Sequence, residues 1–363
     1  MKYFQPYGVT DPDAPYINGN PSTGTMGSIP PGESIEHDQR EIVEVINYAN
    51  SHGYRDREGV PCEPPTDLDL TQLRKAIWGF INADKLSLNL DYYVNNTGSD
   101  TANDGLTLAT PFLTIQKAVD MAQMFDPNGF VITVHVADGT YAPFSCGSGV
   151  NLKGWGTLKV IGNITQPSQC LVTATTSICA YFSGRARNYH CAGFKFVNTG
   201  VYPTGGYGVL FSEAFGYLYN CEFGACSQFH MWSSNAYLIL CGMIDHVPNI
   251  SYPMLIVSGP AGWHMRASEG GAIGCRSPDM TITQAITMTG GWALADYLAE
   301  IICVNDPYGS QPNFYNSLNG KANVAGGVKY SASMNSIIMS HNSGVGYFPC
   351  PGAGSVTTGG QYL

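Results

Sequence analysis

The chain has 363 residues, 44% of them hydrophobic and only 12% charged, which supplies a sizeable core and excludes a disordered segment. Its formal net charge is -10, from 17 Lys and Arg against 27 Asp and Glu. Neutralising phosphates needs clustered cations and no run of them occurs, so a nucleic-acid partner is excluded. With 43 Gly and 22 Tyr, the composition points to many strands and turns and away from a large helical bundle.

The first residues, MKYFQPYGVTDPDAP, lack the apolar core of a signal peptide, and no stretch of about 18 apolar residues follows. A soluble chain made in a cytoplasm, with no membrane insertion, is expected. Residues 1–32 contain Pro6, Pro12, Pro15, Pro21, Pro30 and Pro31; each fixes φ and removes a donor, which predicts an extended arm. Next, ESIEHDQREIVEVINYANSHG sets Ile35, Ile42, Ile46 and Ala49 at helical spacing, with Gly53 as a stop. A polar, Pro-rich loop leads to DLDLTQLRKAIWGFIN, where Asp69 and Gln72 have capping-box spacing. Leu70, Leu73, Ile77 and Phe80 follow at heptad a/d steps, the pattern of a helix packing on another along a narrow seam. Two short helices cannot build a core alone. Residues 33–90 therefore read either as a hairpin docked on its own chain or as a collar around an oligomer axis.

Fourteen of the 27 acidic residues precede residue 92, and that drop in charge marks a domain boundary. Beyond it, strand-like pieces recur: YYVNN, FVITVHVADGTY, GTLKVIGN, CLVTAT, AGFKFVNT, GYLYNCEFG, NAYLILCGMI, MTITQAITM and AEIICVND. Recurrence at roughly 20 to 30 residues signals a solenoid of roughly eight turns. A β-sandwich would want more tight Asn-Gly or Asp-Gly hairpins. In TPFLTIQKAVDMA, Ile115, Ala118, Val119 and Ala122 share one helical face, which suits a cap over the open end of the stack.

The cysteines number 11, so at least one cannot pair within a monomer. Cys170, Cys179, Cys191, Cys221, Cys241 and Cys303 sit in apolar or strand-like segments and read as small buried hydrophobes. Cys62 and Cys350 lie in Pro-rich stretches (GVPCEPP, YFPCPG), where burial is less assured. Each is either a free thiol or a candidate for an interchain bridge outside the cell. Cys221, Cys226 and His230 come nearest to a metal cluster but lack a second spaced pair; no metal and no cofactor is expected.

The run YYVNNTGSDTANDGL, then TPFLTIQKAVDMA and VITVHVADGTY, resembles the start of right-handed parallel β-helix domains of the pectate-lyase-like type, as in phage tailspikes and related appendages. GSIPPGESIEHDQREIVEVI and DLTQLRKAI resemble N-terminal modules of tail-fibre proteins of tailed bacteriophages, and VGYFPCPGAGSVTTGGQYL resembles their Gly-rich terminus. The resemblance implies a mainly β virion appendage, a homotrimer docked to other virion proteins by its N-terminal part. By position, docking would fall to Pro30, Pro31, His37, Arg40 and Glu41, which otherwise read as a solvated surface. The implied division is an arm (1–32), a helical docking module (33–90), a capping segment (91–125), a parallel β-helix (126–310) and a Gly-rich C-terminal region (311–363).

Many tailspikes of this fold cleave host surface polysaccharide. A glycosidase needs two carboxyl groups about 5 to 9.5 Å apart. Glu213 and Glu222 near adjacent strands, with Asp245 a turn later, are the candidates; each reads equally well as a turn cap or a rim residue. The other use of the outer face is recognition without cleavage. Trp155, Trp232, Trp263 and Trp292 could stack on sugars or fill the core, and Met231, His264 and Met265 could belong to either group. A structural attachment fibre is the leading expectation and a polysaccharide depolymerase the alternative.

Overall fold

The computed structural model describes residues 5–11, 13–30, 32–52, 54, 61–66, 71–82, 84–147, 154–184, 187–201, 203, 205–241, 255–276, 280–303, 318–340 and 347–363. Two compact units divide the chain, Met1–Lys85 and Leu86–Leu363, a break slightly before the expected one at residue 90.

In the first unit the Pro-rich arm has no helix or regular strand among its described residues, but it is not simply extended. It doubles back, with Tyr7 N–H donating to Ile29 O, Ser28 N–H to Ile17 O and Asn20 N–H to Thr25 O. Helices α1 (Gly32–Ser51) and α2 (Gln72–Asn82) follow. Ile46, Ala49, Cys62 and Ala76 form a small buried cluster flanked by Val45, Tyr54 and Leu73. The seam differs from the a/d expectation. Ala76 takes the buried place, Ile77 is 46% exposed, and Phe80, 39% exposed, lies against Tyr48 and Tyr54 with ring centroids 5.5 and 5.3 Å away. A small residue at the crossing lets the helices approach, which turns Ile77 outward. Leu70 and Asp69 lie outside the described residues. Gln72 caps by a different route, its carbonyl accepting from Thr66 N–H and its amide donating to Pro64 O.

The second unit is mainly β and solenoid-like, and its strand pairings are parallel. In one sheet ten strands lie side by side in chain order: Leu90–Val94, Val131–Val136, Gly156–Ile161, Arg187–Ala192, Phe215–Tyr219, Tyr237–Cys241, Ala272–Arg276, Glu300–Ile302, Ile337–Met339 and Gln361–Tyr362. Each strand pairs with the next pass of the chain, so one pass advances the stack by about 4.8 Å. Between passes the chain crosses a second sheet carrying two ladders. One runs from Gly139–Tyr141 through Cys170–Ala174, Lys195–Asn198, the start of Cys221–Ser234, Leu255–Val257 and Met280–Ile282 to Leu318–Asn319. The other runs from Phe144–Cys146 through Ala180–Ser183, Tyr207–Ser212, the end of Cys221–Ser234, Ala261–Ser268, Ile286–Ala295 and Val328–Ala332 to Ser355–Val356. The Gly-rich region after residue 310 thus continues both sheets. Its strands are two to five residues long, too short for a repeat count from sequence to register.

Alternation places the core. VITVHV buries every second side chain, and parallel register stacks the buried ones into columns. Ile132, Leu158, Tyr189, Gly216, Leu238, Ile273, Ile301 and Ile338 form one column, and Tyr92, Val134, Val160, Cys191, Leu218, Leu240 and Cys275 another. Each large side chain removed from water contributes about 1.5–3 kcal/mol, and a one-residue slip would turn a whole strand inside out. Gly216 is required where it stands, because an added Cβ would overlap the Phe211 ring.

Helix α3 (Ile115–Gln123) closes one end. Thr114 caps it by accepting from Lys117 N–H, while Asp100 accepts from Leu113 and Thr114 N–H and from the Thr114 hydroxyl. Ile115, Ala118, Val119 and Ala122 are buried. Gln116 donates to Ser145 O and accepts from Ser145 N–H, and Gln123 accepts from Gly147 N–H. These side-chain amides satisfy the edge of strand Phe144–Cys146, which would otherwise offer an open template.

Candidate functional site

One corner of the stack carries polar residues in a regular column. Ser212, Ser234 and Ser268 are in register on three successive passes, and the residue after each turns the chain with positive φ: Glu213 (51°), Asn235 (46°) and Glu269 (57°). Glu213 N–H donates to Ser234 O and Asn235 N–H to Ser268 O, both at 3.1 Å, so the three stack directly. All three are exposed, and Ser234 donates its hydroxyl to Glu269. Two passes separate the Cα atoms of Glu213 and Glu269 by roughly 10 Å.

Beside this column the chain enters the ten-stranded sheet, where Phe215 and Tyr237 are in register on its outward face. Glu213, Ala214, Phe215, Asn235, Ala236, Tyr237, Gly270 and Ala272 line a shallow concavity of about 360 Å³. Ala214, Ala236 and Gly270 keep its floor low, with the two rings on one side and Glu213 and Asn235 on the other. An aromatic wall facing carboxylate and amide groups suits a ligand with both apolar faces and hydroxyl groups.

The outward face of the second sheet holds another aromatic group. The Arg266 guanidinium lies over Trp232 and Phe229, 4.6 and 5.2 Å from their centroids, and pairs with Asp296 at 3.0 Å. Tyr207 stacks on Phe229. Tyr207 and Phe229 are buried and Arg266 mostly so, which makes this a structural cluster. Trp292, Met231, Met265 and His264 are fully buried, whereas Trp155 is 72% exposed.

The expected carboxylate pair is not brought together. Glu213 precedes strand Phe215–Tyr219 and Glu222 follows it, and five residues at about 3.3 Å each put about 16 Å between them. Glu222 instead binds Lys195 Nζ at 2.7 Å and accepts from the Ser258 hydroxyl. Asp245 lies outside the described residues. Glu269 is the acid that stands at the same corner as Glu213, two passes on. Its signal in the sequence is a short repeat, FSEAFG, SSNAYL and ASEGGA, in which Ser precedes the turn residue each time.

Of the expected docking positions, Pro30, Arg40 and Glu41 are exposed. His37 is within α1, its side chain outside the described residues, as is Pro31. Cys62 and Cys350 are both buried, 5% and 1% exposed; burial pushes the Cys350 thiol up to about 12. Neither presents its sulfur at the surface as an interchain bridge requires. Among the described residues no group of three His, Cys, Asp or Glu could hold a metal ion, and no helix is long and apolar enough to cross a membrane.

No family model matches this chain, and no curated protein and no solved structure matches it either.

Proposed function

We propose that the chain is a virion appendage of the tail-fibre or tailspike type, a homotrimer attached by its helical N-terminal unit to other virion proteins. Its second unit acts as a right-handed parallel β-helix that meets bacterial surface polysaccharide. The observation that carries the glycan contact is the corner concavity, lined by Phe215 and Tyr237 on one side and by Glu213 and Asn235 on the other. Pyranose rings stack on aromatic faces and donate hydroxyls to carboxylates and amides, so both sides suit one ligand. The parallel, chain-ordered stack supports the β-helix reading, and the quoted N-terminal motifs support the virion reading.

The test is retention of the purified protein on a panel of immobilised bacterial surface polysaccharides, beside a Phe215→Ala/Tyr237→Ala variant. Retention lost in the variant supports the corner as the contact. Equal retention by both proteins, or none by either, rejects it. Light scattering of the same sample addresses the trimer, and a monomer mass would reject that part. The second reading is a depolymerase, with Glu213 and Glu269, two passes apart at one exposed corner, as the candidate carboxylates. Release of new sugar ends by the wild type, abolished in Glu213→Gln and Glu269→Gln, would establish it.

A further inference from the structure

His230 and His264 stand in register on neighbouring strands and have no exposed surface. Their Nδ1 atoms are 2.9 Å apart. His230 Nε2 is 3.0 Å from Gly224 O, and a carbonyl only accepts, so Nε2 carries the proton of His230. Its Nδ1 is then a bare acceptor, and His264 Nδ1–H must donate to it. That leaves His264 Nε2 without a proton, and no hydrogen-bond partner reaches it. The His264 ring instead stacks on Trp292 with centroids 4.3 Å apart. Phe223 packs on both imidazoles, stacked on His230 at 5.4 Å and edge-on to His264 at 5.8 Å.

The arrangement holds as long as both rings are neutral. A second Nδ1 proton would point two donors at each other across 2.9 Å, and a proton on His264 Nε2 would bring charge into an apolar wall with no acceptor. The groups facing the pair are the Gly224 and Pro260 carbonyls and the Phe223 and Trp292 rings. Cys226 is the titratable neighbour on the same strand, its thiol held neutral by burial. Lys195 with Glu222, and Arg266 with Asp296, pair on the outward faces of these strands. Neither carboxylate compensates an imidazolium inside.

We propose that the His230–His264 pair is an acid-operated latch: proton uptake by the imidazoles separates the strands Cys221–Ser234, Ala261–Ser268 and Ile286–Ala295 and opens the stack between its ends. Opening moves Trp292 into water and gives both rings solvent for their new protons. The device is independent of what the outer corner binds.

The experiment follows amide exchange and Trp fluorescence of the full chain between pH 7.5 and 4, for the wild type and a His230→Leu/His264→Phe variant. The expected result is a reversible, at least tenfold loss of protection in those three strands on acidification. In the variant that loss should shift down by one pH unit or more. The same acid transition in a variant folded at pH 7.5 would overturn the proposal. Should the variant not fold, nitrogen-15 shifts of the wild-type imidazoles decide. Rings that stay neutral in the folded state down to pH 5, as the Nε2–H form of His230 and the Nδ1–H form of His264, support the latch. Rings that titrate near the ordinary value of about 6.5 while the strands stay protected overturn it.

Discussion

Phe215 and Tyr237, in register on adjacent passes, hold their rings 1° from parallel with centroids 5.7 Å apart. Tyr237 is 37% exposed. The two rings stack on each other at the surface, and the strands beneath them are pinned by the buried column of Gly216 and Leu238. Tyr237→Ala should cost only about 0.5–1.5 kcal/mol of stability, yet reduce retention on a bound polysaccharide tenfold or more. Chemical denaturation and binding, measured on one preparation, separate the two effects; a large stability loss with unchanged retention contradicts the surface role.

Glu222 is a structural carboxylate. Its side chain is 9% exposed and that of Lys195 27%, with the Ser258 hydroxyl as a further donor. Glu222→Gln leaves the ammonium of Lys195 without its charge partner and should destabilise by about 1–3 kcal/mol. Lys195→Met on top of it should recover part of that loss. Urea midpoints of both variants check this, while polysaccharide retention and any release of sugar ends should stay at the wild-type level.

Stability should fall with acidification through the buried imidazoles. Burial pushes His230 down to about 4, and holds His264 well below the ordinary value, whereas an unfolded imidazole titrates at about 6.5. Between about pH 6.5 and 4 the unfolded chain binds protons that the folded chain refuses, so the stability present above pH 6.5 is lost as pH drops through that window. The slope limit is about 1.4 kcal/mol per pH unit for each histidine. Urea midpoints from pH 7.5 to 4.5 should decline accordingly; a flat profile contradicts the burial of the pair.

Gly105 has φ +72°, and a Cβ there would run into the Phe112 ring. Phe112 is 1% exposed and pairs with Val94 beneath α3. Gly105→Ala should cost about 2–4 kcal/mol, from left-handed strain plus overpacking. The lost protection should concentrate in residues 90–123, as read by amide exchange, and wild-type protection there would count against the proposed packing.

Thiol chemistry tests the cysteines. Cys350 is buried with its thiol pushed up to about 12, and Cys62 is 5% exposed. Native protein should react with a disulfide reagent far more slowly than denatured protein, and gels without reductant should show monomer bands. Dimer or trimer bands that collapse with reductant would show instead that these sites open and bridge chains.

Patterns local to the chain carried the mainly β character, the two N-terminal helices and the capping face of α3, because alternation and helical spacing record which side of an element is buried. Ile115, Ala118, Val119 and Ala122 could be named before any strand had a partner. Ile77 and Phe80 could not be placed correctly, since the a/d pattern does not tell whether Ala76 or Ile77 meets the crossing helix. The pairing of carboxylates was beyond the sequence for the same kind of reason. Glu213 and Glu222 are near in the chain but lie at opposite ends of one strand, while Glu213 and Glu269 share a corner because two passes of the chain return to it. Side-chain type and spacing set the elements; the register of one pass on the next decided which residues meet. Register is a long-range quantity, chosen by the whole buried column at once.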